Sequence, residues 1–338
     1  MNLLITGGAG FIGSNFIHYM LTAHPNDQII NLDLLTYAGN LENLCSVSAH
    51  QNYHFIHGNI CNKSLIEKII DQFHIDSIIN FAAESHVDRS IDQPGLFVKT
   101  NVLGTQILLD AAKKHQFRKY IQISTDEVYG SLDSDGSFTE KSPLAPNSPY
   151  AASKASADLL TRAYFKTFGL NINITRCSNN YGPYQFPEKL IPLIITNAIE
   201  DQVLPVYGDG AHVRDWIYVS DHCVAIDQVL HHGKPGEIYN IGADHELHNI
   251  DLVKHILDQL HKPYDKIKYV SDRPGHDRRY AINTSKIRSD LNWQPQYDFE
   301  KGINQTIQWY LKHKTWWKKI KNGAFKDYYN QHYGKAPE

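Results

Sequence analysis

Short apolar runs alternate in the first half of the chain with longer stretches in which apolar residues recur every three to four positions. The short runs are typical of buried strands and the longer stretches of helices. The predicted strands are 3–5, 28–35, 53–57, 77–83, 119–125 and 171–176, and the predicted helices are 64–73, 95–115 and 150–168. Alternation of this kind requires a mostly parallel sheet covered on both faces. We therefore predict an α/β fold with a Rossmann-type doubly wound parallel sheet.

The second half of the chain is less regular. From Asn179 onward Pro, Gly and Asn become more frequent, as in Tyr181-Gly182-Pro183, which is typical of turns and loops. The strand-like segment from Glu237 to Ile241 is expected to rejoin the main sheet. The sequence thus predicts a Rossmann domain over residues 1–178, rejoined by short segments near 212–241, and a smaller, interleaved α/β lobe over residues 179–338.

A glycine-rich turn directly follows the first apolar run. Gly7, Gly10 and Gly13 are spaced three and three, and an amphipathic stretch begins there. This order lets the backbone approach a pyrophosphate and directs the free N–H groups of a helix start at it. Asp33 lies twenty residues beyond Gly13, where a carboxylate can bind an adenosine ribose and would repel a 2′-phosphate. The pattern predicts NAD as cofactor; the alternative is a glycine-rich turn with a solvated Asp.

Composition narrows the class of protein further. The 338 residues are 42% hydrophobic with a net charge of -3, which gives no electrostatic reason to expect a nucleic acid or a membrane as partner. No apolar run approaches the ~18 residues of a membrane span, and no signal peptide is predicted. The cysteines are far apart and lack zinc-site spacing, which predicts reduced thiols, a cytoplasmic protein and no metal site. They are Cys45, Cys61, Cys177 and Cys223.

Tyr150 and Lys154 are four residues apart at the start of a predicted helix, so their side chains share one face. A phenol with a pKa near ~10 is a poor base at neutral pH. A neighbouring ammonium, together with the positive nicotinamide of NAD, favours the phenolate, which could then take the proton of a sugar hydroxyl as hydride leaves. The same spacing also occurs on ordinary helices, but here it follows a nucleotide fold and Ser124-Thr125.

Thr125-Asp126-Glu127 stands at the end of a predicted strand. Carboxyl ends of parallel strands are where α/β proteins bind ligands. Two carboxyl groups beside a proton-transferring Tyr indicate a second reaction besides oxidation, most simply an elimination of water. That chemistry needs Asp126 protonated and Glu127 ionised, so the two groups must titrate apart. The alternative is a solvated pair in a loop.

These residues resemble the extended short-chain dehydrogenase/reductase superfamily, and in detail its dTDP-glucose 4,6-dehydratase family. The resemblance covers nearly the whole chain. It is carried by the segments 33–41, 82–90, 124–130, 179–189, 214–216 and 272–280. It implies an NAD-dependent lyase that binds dTDP-glucose and forms dTDP-4-dehydro-6-deoxy-glucose, in deoxysugar biosynthesis of the dTDP-rhamnose type. The lobe over residues 179–338 would then mainly bind the sugar nucleotide.

The resemblance also implies a role for each catalytic residue. Tyr150 removes the proton of the C4 hydroxyl with help from Thr125 and Lys154, and hydride passes to NAD. Glu127 then takes the C5 proton while Asp126 protonates the departing C6 hydroxyl, and the hydride returns to C6.

Further binding residues follow from the same resemblance. The residues expected to bind the cofactor are Gly7, Gly10, Phe11, Ile12, Gly13, Asp33, Asn59, Ile60, Ala82, Tyr150 and Lys154. Those expected to bind the sugar nucleotide are Ser85, His86, Asn179, Glu188, Lys189, Pro205, Tyr207, Arg214, Asn249, Arg273, His276 and Tyr280. Arg214 offers a planar, permanently charged fork for a diphosphate. From the sequence alone, several of these could equally be surface residues, and His86 could be a structural histidine.

One residue departs from the family pattern. The family often has Asp in the Gly-x-Ile motif, whereas this chain has Gly58-Asn59-Ile60. Asn keeps an acceptor oxygen but loses the charge, which puts the contact with adenine in doubt. Near the C-terminus, the aromatic residues Trp309, Tyr310, Trp316 and Trp317 are interpreted as helix packing rather than a ligand platform.

The helices 95–115 and 150–168 carry apolar residues on more than one face, for example Leu103 and Leu108 or Leu159 and Tyr164. Burial against the sheet explains one face only. In the family the equivalent helices pair across a two-fold axis, so we predict an isologous homodimer with a four-helix contact.

Three rival functions share parts of this pattern. A C4 epimerase would use Tyr150 and Lys154 but needs no Asp126-Glu127 pair. A 4,6-dehydratase for UDP-, CDP- or GDP-hexoses differs only in residues that select the base, which the sequence shows poorly. A catalytically silent NAD-binding sensor would be expected to lack Tyr150, Lys154 or Glu127, and all three are present.

Overall fold

The computed structural model describes residues 1–322. Strands and helices alternate through its first 177 residues, as the hydrophobic pattern predicts. The strands are β1 (Asn2–Thr6), β2 (Gln28–Asp33), β3 (Tyr53–His57), β4 (Ser77–Asn80), β5 (Lys119–Thr125), β6 (Ile172–Cys177), β7 (Asn179–Tyr181), β8 (Leu204–Tyr207), β9 (Val213–Tyr218), β10 (Ile238–Ile241), β11 (Glu246–His248) and β12 (Ile267–Val270).

The longest of the described helices has 20 residues and precedes β6. Three short 3-10 turns, at Leu41–Val47, Asp126–Tyr129 and Tyr264–Lys266, connect other elements. The helices are α1 (Phe11–Ala23), α2 (Lys63–Phe73), α3 (Val87–Asp92), α4 (Pro94–Phe97), α5 (Thr105–Lys114), α6 (Pro149–Phe168), α7 (Leu190–Ile199), α8 (Val219–His232), α9 (Asn249–Gln259), α10 (Ser285–Leu291), α11 (Phe299–Lys312) and α12 (Lys314–Asn322).

The main sheet has seven strands in the order β10-β6-β5-β4-β1-β2-β3, all parallel. The chain leaves β1 towards β3 and then crosses to β4 on the other side. Between β1 and β4 lies the point at which the strand order reverses, where doubly wound folds bind ligands. The α/β Rossmann-type fold predicted from the sequence is confirmed, as is the return of the segment near 237–241 to the main sheet as β10.

Helices cover both faces of this sheet. On one face the buried residues of α1, such as Phe16 and Met20, pack with those of α8, such as Ile226. On the other face Ile66 of α2 and Leu108 of α5 pack against Ile78 and Ile174. The inner strands are therefore shielded from water on both sides, which explains their nearly continuous apolar runs in the sequence, whereas the edge strand β3 is partly exposed.

A separate core holds the C-terminal lobe together. It joins α7, α9 and α11 with two small sheets, β11-β9-β7 and β12-β8. Tyr310, Trp316 and Trp317 are buried in this core, so the prediction that the C-terminal aromatic residues pack between helices is confirmed. The domain boundary at residue 178 stays a prediction. The last part of the predicted C-terminal lobe, residues 323–338, lies outside the described residues. Within residues 1–322 no helix combines the length and apolarity needed to cross a membrane.

Three predicted elements were wrong in their extent. Strand β2 ends at Asp33, not at residue 35, because the Asp33 carboxylate accepts the N–H of Leu35 and turns the chain into a positive φ of 53° there. Strand β4 ends at Asn80 rather than at residue 83, and the following residues line a cavity. The predicted helix 95–115 is α4 and α5 joined by the wider π-helical turn Val98–Gly104.

Candidate active site

A cavity of about 320 Å³ opens at the carboxyl ends of the parallel strands. Its walls come from the segments that follow β1, β2, β4, β5 and β6, together with α6 and the loop before α7. The cavity thus lies at the reversal of strand order, where the fold alone would place a ligand.

The glycine turn leaves space that the side chain of any other residue at these positions would occupy. A Cβ at Gly13 would lie 2.5 Å from the carbonyl oxygen of Gly7, and Gly7 has a φ of +70° beside the backbone of Ala82. Helix α1 starts after Gly10 without a side-chain cap, so its first N–H groups are left for a ligand. This cradle fits the pyrophosphate of a dinucleotide, and Phe11, Ile12, Ile60 and Ala82 line the same cavity.

Asp33 holds the turn that the cofactor would contact. Its carboxylate accepts the N–H of Ala9 at 2.9 Å and that of Leu35 at 2.8 Å. Burial raises its pKa, although these two bonds lower it. Asn59, the residue that departs from the family pattern, also lines the cavity, and its Oδ1 accepts the N–H of Cys61 at 2.8 Å. Asn59 therefore uses that oxygen within its own turn. The ribose role of Asp33 and the contact from Asn59 stay predictions.

The five predicted catalytic residues meet in this cavity. Thr125 ends β5, and its Oγ1 accepts the N–H of Glu127 and donates to the Asp126 carboxylate, each at 3.3 Å. Thr125 also lies close enough to the Tyr150 phenol to lower its pKa. Lys154 follows one turn later on α6, and its ammonium donates to the Ile123 carbonyl at 2.5 Å. A strand end and a helix start thus place the two carboxyls beside the phenol.

The two carboxyl groups have different surroundings. Asp126 is 2% exposed, and burial, followed by the charge of Glu127, raises its pKa well above the usual range. Burial also raises the pKa of Glu127, but Arg273, Arg214 and Lys189 counteract this. A shared proton therefore belongs on Asp126 and the negative charge on Glu127, the division that elimination requires.

Tyr150 is deeply buried, and this affects its role as a base. Burial raises its pKa well above 10, the neighbouring Glu127 and Cys177 raise it further, and Thr125 lowers it. Burial lowers the pKa of Lys154, which Asp158 and Cys177 partly restore. The positive charges of Lys154 and the nicotinamide, which favour the Tyr150 phenolate, must therefore offset a large desolvation penalty.

Four of the predicted sugar-nucleotide residues, Ser85, Asn179, Glu188 and Lys189, line the same cavity. The Lys189 ammonium donates to the Ser85 carbonyl at 3.2 Å. His86 lies just behind them, with its Nε2 3.7 Å from the Glu188 carboxylate. Burial raises the pKa of Glu188 to about 6.

A second group comes from the C-terminal lobe and does not line this cavity. The Arg214 guanidinium lies 4.3 Å above the Tyr280 ring and donates to the Asp277 carbonyl at 2.8 Å. Arg273 lies 3.4 Å from the Asp88 carboxylate. Arg214, Arg273 and Tyr280 all interact electrostatically with Glu127. This second group of residues therefore lies beyond the pair Asp126 and Glu127. The two guanidinium groups could bind a diphosphate there.

The remaining predicted residues extend this second group. The Tyr207 hydroxyl donates to Asp88 at 3.0 Å, and its ring meets the His276 ring edge at 6.0 Å. Pro205 is buried in β8. Asn249 begins α9 with a buried Oδ1 that has no hydrogen-bond partner. The structure does not bring Pro205 or Asn249 to the catalytic cavity, and their roles stay predictions.

Sequence reasoning missed Tyr37, which lines the cavity just after Asp33. Its ring lies 3.9 Å below the Arg89 guanidinium and meets Phe186 edge-on at 5.6 Å. Burial and the nearby charge of Glu188 raise the pKa of Tyr37 well above its usual value, which Ser85 and Arg89 counteract, and Arg89 lies 3.8 Å from Glu188. We call Tyr37, Ser85, Arg89, Phe186 and Glu188 the Tyr37 cluster. Its only signal in the sequence was the family-like segment 33–41, because local patterning marks Tyr37 as a loop residue.

Two groups of side chains have the composition of a metal site. They are His24, Asp227 and His231, and His212, Asp272 and His276. In each group the imidazoles lie within hydrogen-bond reach of the shared carboxylate, which accounts for their proximity. The expectation that the protein has no metal site stays a prediction.

Comparison with known proteins agrees with this geometry. The family described as GDP-mannose 4,6 dehydratase matches residues 4–306. A dTDP-glucose 4,6-dehydratase of Xanthomonas campestris pv. campestris strain B100 is 49% identical, over 96% of this chain and 97% of that protein. The crystal structure of dTDP-glucose 4,6-dehydratase from Bacillus anthracis strain Ames in complex with NAD is 54% identical, with a TM-score of 0.90 over 95% of this chain and 99% of that one.

A second solved structure gives the same result. The dTDP-glucose 4,6-dehydratase of Streptomyces venezuelae, solved with NAD bound, is 50% identical, with a TM-score of 0.92 over 95% of this chain and all of that one. Fold, site and sequence thus agree over nearly the whole length. This chain therefore belongs to the GDP-mannose 4,6 dehydratase family and, within it, to the dTDP-glucose 4,6-dehydratases.

Proposed function

We propose that this protein removes water from dTDP-glucose and releases dTDP-4-dehydro-6-deoxy-glucose, with NAD as a recycled cofactor in deoxysugar biosynthesis of the dTDP-rhamnose type. The observation that carries this proposal is the placement of Asp126 and Glu127 beside Tyr150 and Lys154 in the cavity that contains the glycine cradle. An oxidation site and an elimination pair in one cavity serve one substrate in successive steps.

The residues divide the proton transfers between them. Tyr150 takes the C4 hydroxyl proton, assisted by Thr125, which lowers the pKa of the phenol. The new C4 ketone acidifies the C5 proton, which Glu127 removes. Asp126, kept protonated by burial, protonates the C6 hydroxyl as it leaves as water. Bound NAD supplies the hydride acceptor for C4 and the hydride donor for C6, and C5 recovers a proton.

Two regions would hold the substrate at its two ends. The sugar lies against Ser85, Asn179, Glu188 and Lys189 in the cavity. The diphosphate lies against Arg214 and Arg273, whose charges already reach Glu127. This arrangement places the reacting carbons between the phenol and the two carboxyls, which is the positioning the mechanism needs.

A panel of hexose nucleotides tests the proposal. We expect dTDP-glucose to lose one water on incubation with the protein, as measured by mass, and UDP-, CDP- and GDP-hexoses to react more slowly. Tyr150→Phe, which keeps most of the ring's packing, is the inactive control. Interconversion of UDP-glucose and UDP-galactose without loss of water would instead indicate a C4 epimerase.

We also propose a homodimer, because α6 and the segment before α5 share an apolar surface. Leu96, Val98, Leu103, Leu159 and Phe168 are between 42% and 56% exposed, whereas Leu108 is buried against the sheet. An apolar surface on two neighbouring helices fits a second copy of the chain across a two-fold axis.

Sedimentation velocity at micromolar concentration tests the dimer. We expect a dimer for the wild-type protein and a monomer for Leu159→Glu. Val203→Glu, an exposed apolar position away from these helices, is the control and should remain dimeric. A wild-type monomer would contradict the proposal.

We place the protein in the cytoplasm. Its four cysteines are free thiols, as is usual in a reducing compartment. Fractionation of the source cells would test this placement.

A further inference from the structure

Helix α6 carries a third ionisable residue below the catalytic pair. Tyr150, Lys154 and Asp158 follow at intervals of four, so they share one face of the helix, and they are 8%, 4% and 1% exposed. The first two line the cavity, whereas Asp158 lies one turn further along the helix and has no part in the proposed mechanism. A buried carboxylate is costly unless it is paired, so its partners indicate why it is there.

The main partner of Asp158 is Arg176 on β6. The Arg176 Nε donates to Asp158 Oδ2 at 2.9 Å, and the two side chains are 4% and 1% exposed. Arg176 also donates to the Tyr129 hydroxyl at 2.9 Å, which in turn donates to Asn240 of β10 at 2.8 Å. The Asp158 carboxylate thus pairs with the Arg176 guanidinium of β6, which is linked through the Tyr129 hydroxyl to β10.

Helix α6 also reaches the active-site strand. Lys154 donates to the carbonyl of Ile123 at 2.5 Å, and the Ser124 hydroxyl lies close enough to Asp158 to lower the pKa of its carboxyl. Helix α6 is therefore attached to β5 at Ile123, two residues before Thr125. A shift of Asp158 would move the helix face that carries Tyr150 and Lys154 relative to the elimination pair.

The ionisable groups around Lys154 come from four elements. They are Tyr150 and Asp158 of α6, Arg176 and Cys177 of β6, Asp126 and Glu127 after β5, and Glu84 after β4. Burial lowers the pKa of Lys154, and Asp158 is the largest opposing influence, ahead of Cys177. The ammonium that assists Tyr150 thus depends chiefly on Asp158 for its charge.

We propose that Asp158 is a positioning residue for the oxidation step, whose carboxylate, bound to Arg176 one turn below Lys154 on the same buried face of α6, keeps the Lys154 ammonium charged and in place next to Tyr150. The inference rests on the proposed function, because Lys154 matters in this way only if the site oxidises a hydroxyl. It adds to that function a residue that contacts neither sugar nor cofactor.

The test follows the titration of Lys154 itself. The protein is labelled with [ε-¹³C]lysine, and the Lys154 signal is assigned by its loss in Lys154→Met. We expect Asp158→Asn to move the Lys154 midpoint to lower pH by about one unit, because the charge that favours the ammonium is gone. Asp158→Glu, which keeps the charge, should restore most of the wild-type midpoint.

Two further variants separate this effect from loss of packing. Thr161→Val alters a fully buried residue of the same helix whose hydroxyl bonds only to the Ala157 carbonyl, and it should leave the midpoint unchanged. Asp158→Asn with Arg176→Gln removes the whole ion pair without an uncompensated charge, and it replaces Asp158→Asn if that variant does not fold. Its Lys154 midpoint should also fall.

Activity provides the second readout. Sugar-dependent NAD reduction in the Asn variants should be lost at lower pH than in the wild type, so that the alkaline limb of the pH profile moves with the Lys154 midpoint. An unchanged midpoint in both Asn variants would overturn the proposal even if activity fell. Turnover of dTDP-glucose by the wild type is measured first, so that failure of the proposed function is recognised separately.

Discussion

At the scale of single residues, Asp126 and Glu127 show how neighbours in the chain acquire opposite roles. Asp126 is buried and Glu127 half-buried, but only Glu127 has three cationic groups acting to keep it ionised. One oxygen of Asp126 is buried without a hydrogen-bond partner, which suits a protonated carboxyl that waits for a leaving group.

Glu127→Gln should abolish dehydration and exchange of the C5 hydrogen, because the amide cannot accept that proton. Sugar-dependent NAD reduction should persist, since Tyr150 acts before Glu127. Mass analysis of the product and proton exchange in heavy water would measure the two effects. Asp126→Asn should slow the loss of the C6 hydroxyl, less severely if water replaces the acid. Dehydration at the wild-type rate in Glu127→Gln would remove Glu127 from the mechanism.

Glu188 should make the ligand-free protein less stable as the pH rises. Burial raises its pKa from 4.5 to about 6. The folded state therefore binds the proton more tightly than the unfolded chain, and the stability that this contributes is present below pH 4.5 and is lost as the pH rises through about 6. Urea unfolding at pH 5 and pH 7 should show a larger decrease for wild type than for Glu188→Gln, by about 1 kcal/mol. Equal decreases would contradict this.

At the scale of elements, the start of α1 matters most for the cofactor. A methyl group at Gly13 would meet the Gly7 carbonyl and, at 2.8 Å, the Gly8 Cα. These are backbone atoms of the turn, which cannot rotate away as a side chain would. The helix start must then move from the position in which its N–H groups reach a pyrophosphate.

Gly13→Ala should therefore weaken NAD binding at least tenfold, about 1.4 kcal/mol, as measured by calorimetry on protein freed of nucleotide. Gly95→Ala is the matched control, because a Cβ at Gly95 meets nothing within 4 Å. Equal affinities of Gly13→Ala and Gly95→Ala would show that the cradle tolerates the methyl group.

The elements that the sequence predicts best are those set by burial alone. Strand β5 has the predicted ends, because an apolar run in the middle of a sheet stops where the shielding stops. The edge strand β3 also has the predicted ends, although it is partly exposed. The prediction was wrong where a side chain bonds to distant backbone: the wide turn between α4 and α5 contains Asn101, whose amide bonds to the Glu84 backbone and to Ser153. Contacts between residues so far apart in the chain produce no periodic pattern in the sequence.

The residues of the candidate site also divide into those that the sequence predicts and those that it does not. Tyr150, Lys154 and the two carboxyls were found because spacing and strand ends carry their chemistry. Tyr37 was not found, because its importance comes from Arg89 and Phe186, which are distant in the chain. Pro205 and Asn249, inferred from resemblance alone, lie on elements of the C-terminal lobe away from the catalytic cavity.

At the scale of the whole molecule, oxidation and reduction take place on the same sugar. The hydride taken from C4 is returned at C6, so the protein should need only catalytic amounts of NAD. Deuterium placed on C4 should reappear on C6 of the product, as measured by NMR, with no net growth of absorbance at the NADH wavelength. Stoichiometric NADH with an oxidised, still hydroxylated sugar would indicate a simple C4 dehydrogenase.

The Tyr37 cluster joins the segment that follows Asp33 to the two segments that carry the sugar-site residues. Bound as proposed, the cofactor and the sugar nucleotide would contact the same set of side chains from opposite sides. Two ligands coupled in this way obey reciprocity: whatever factor the sugar nucleotide adds to the affinity for NAD, NAD must add to the affinity for the sugar nucleotide. The cluster is therefore the place at which binding of one ligand would change the affinity for the other.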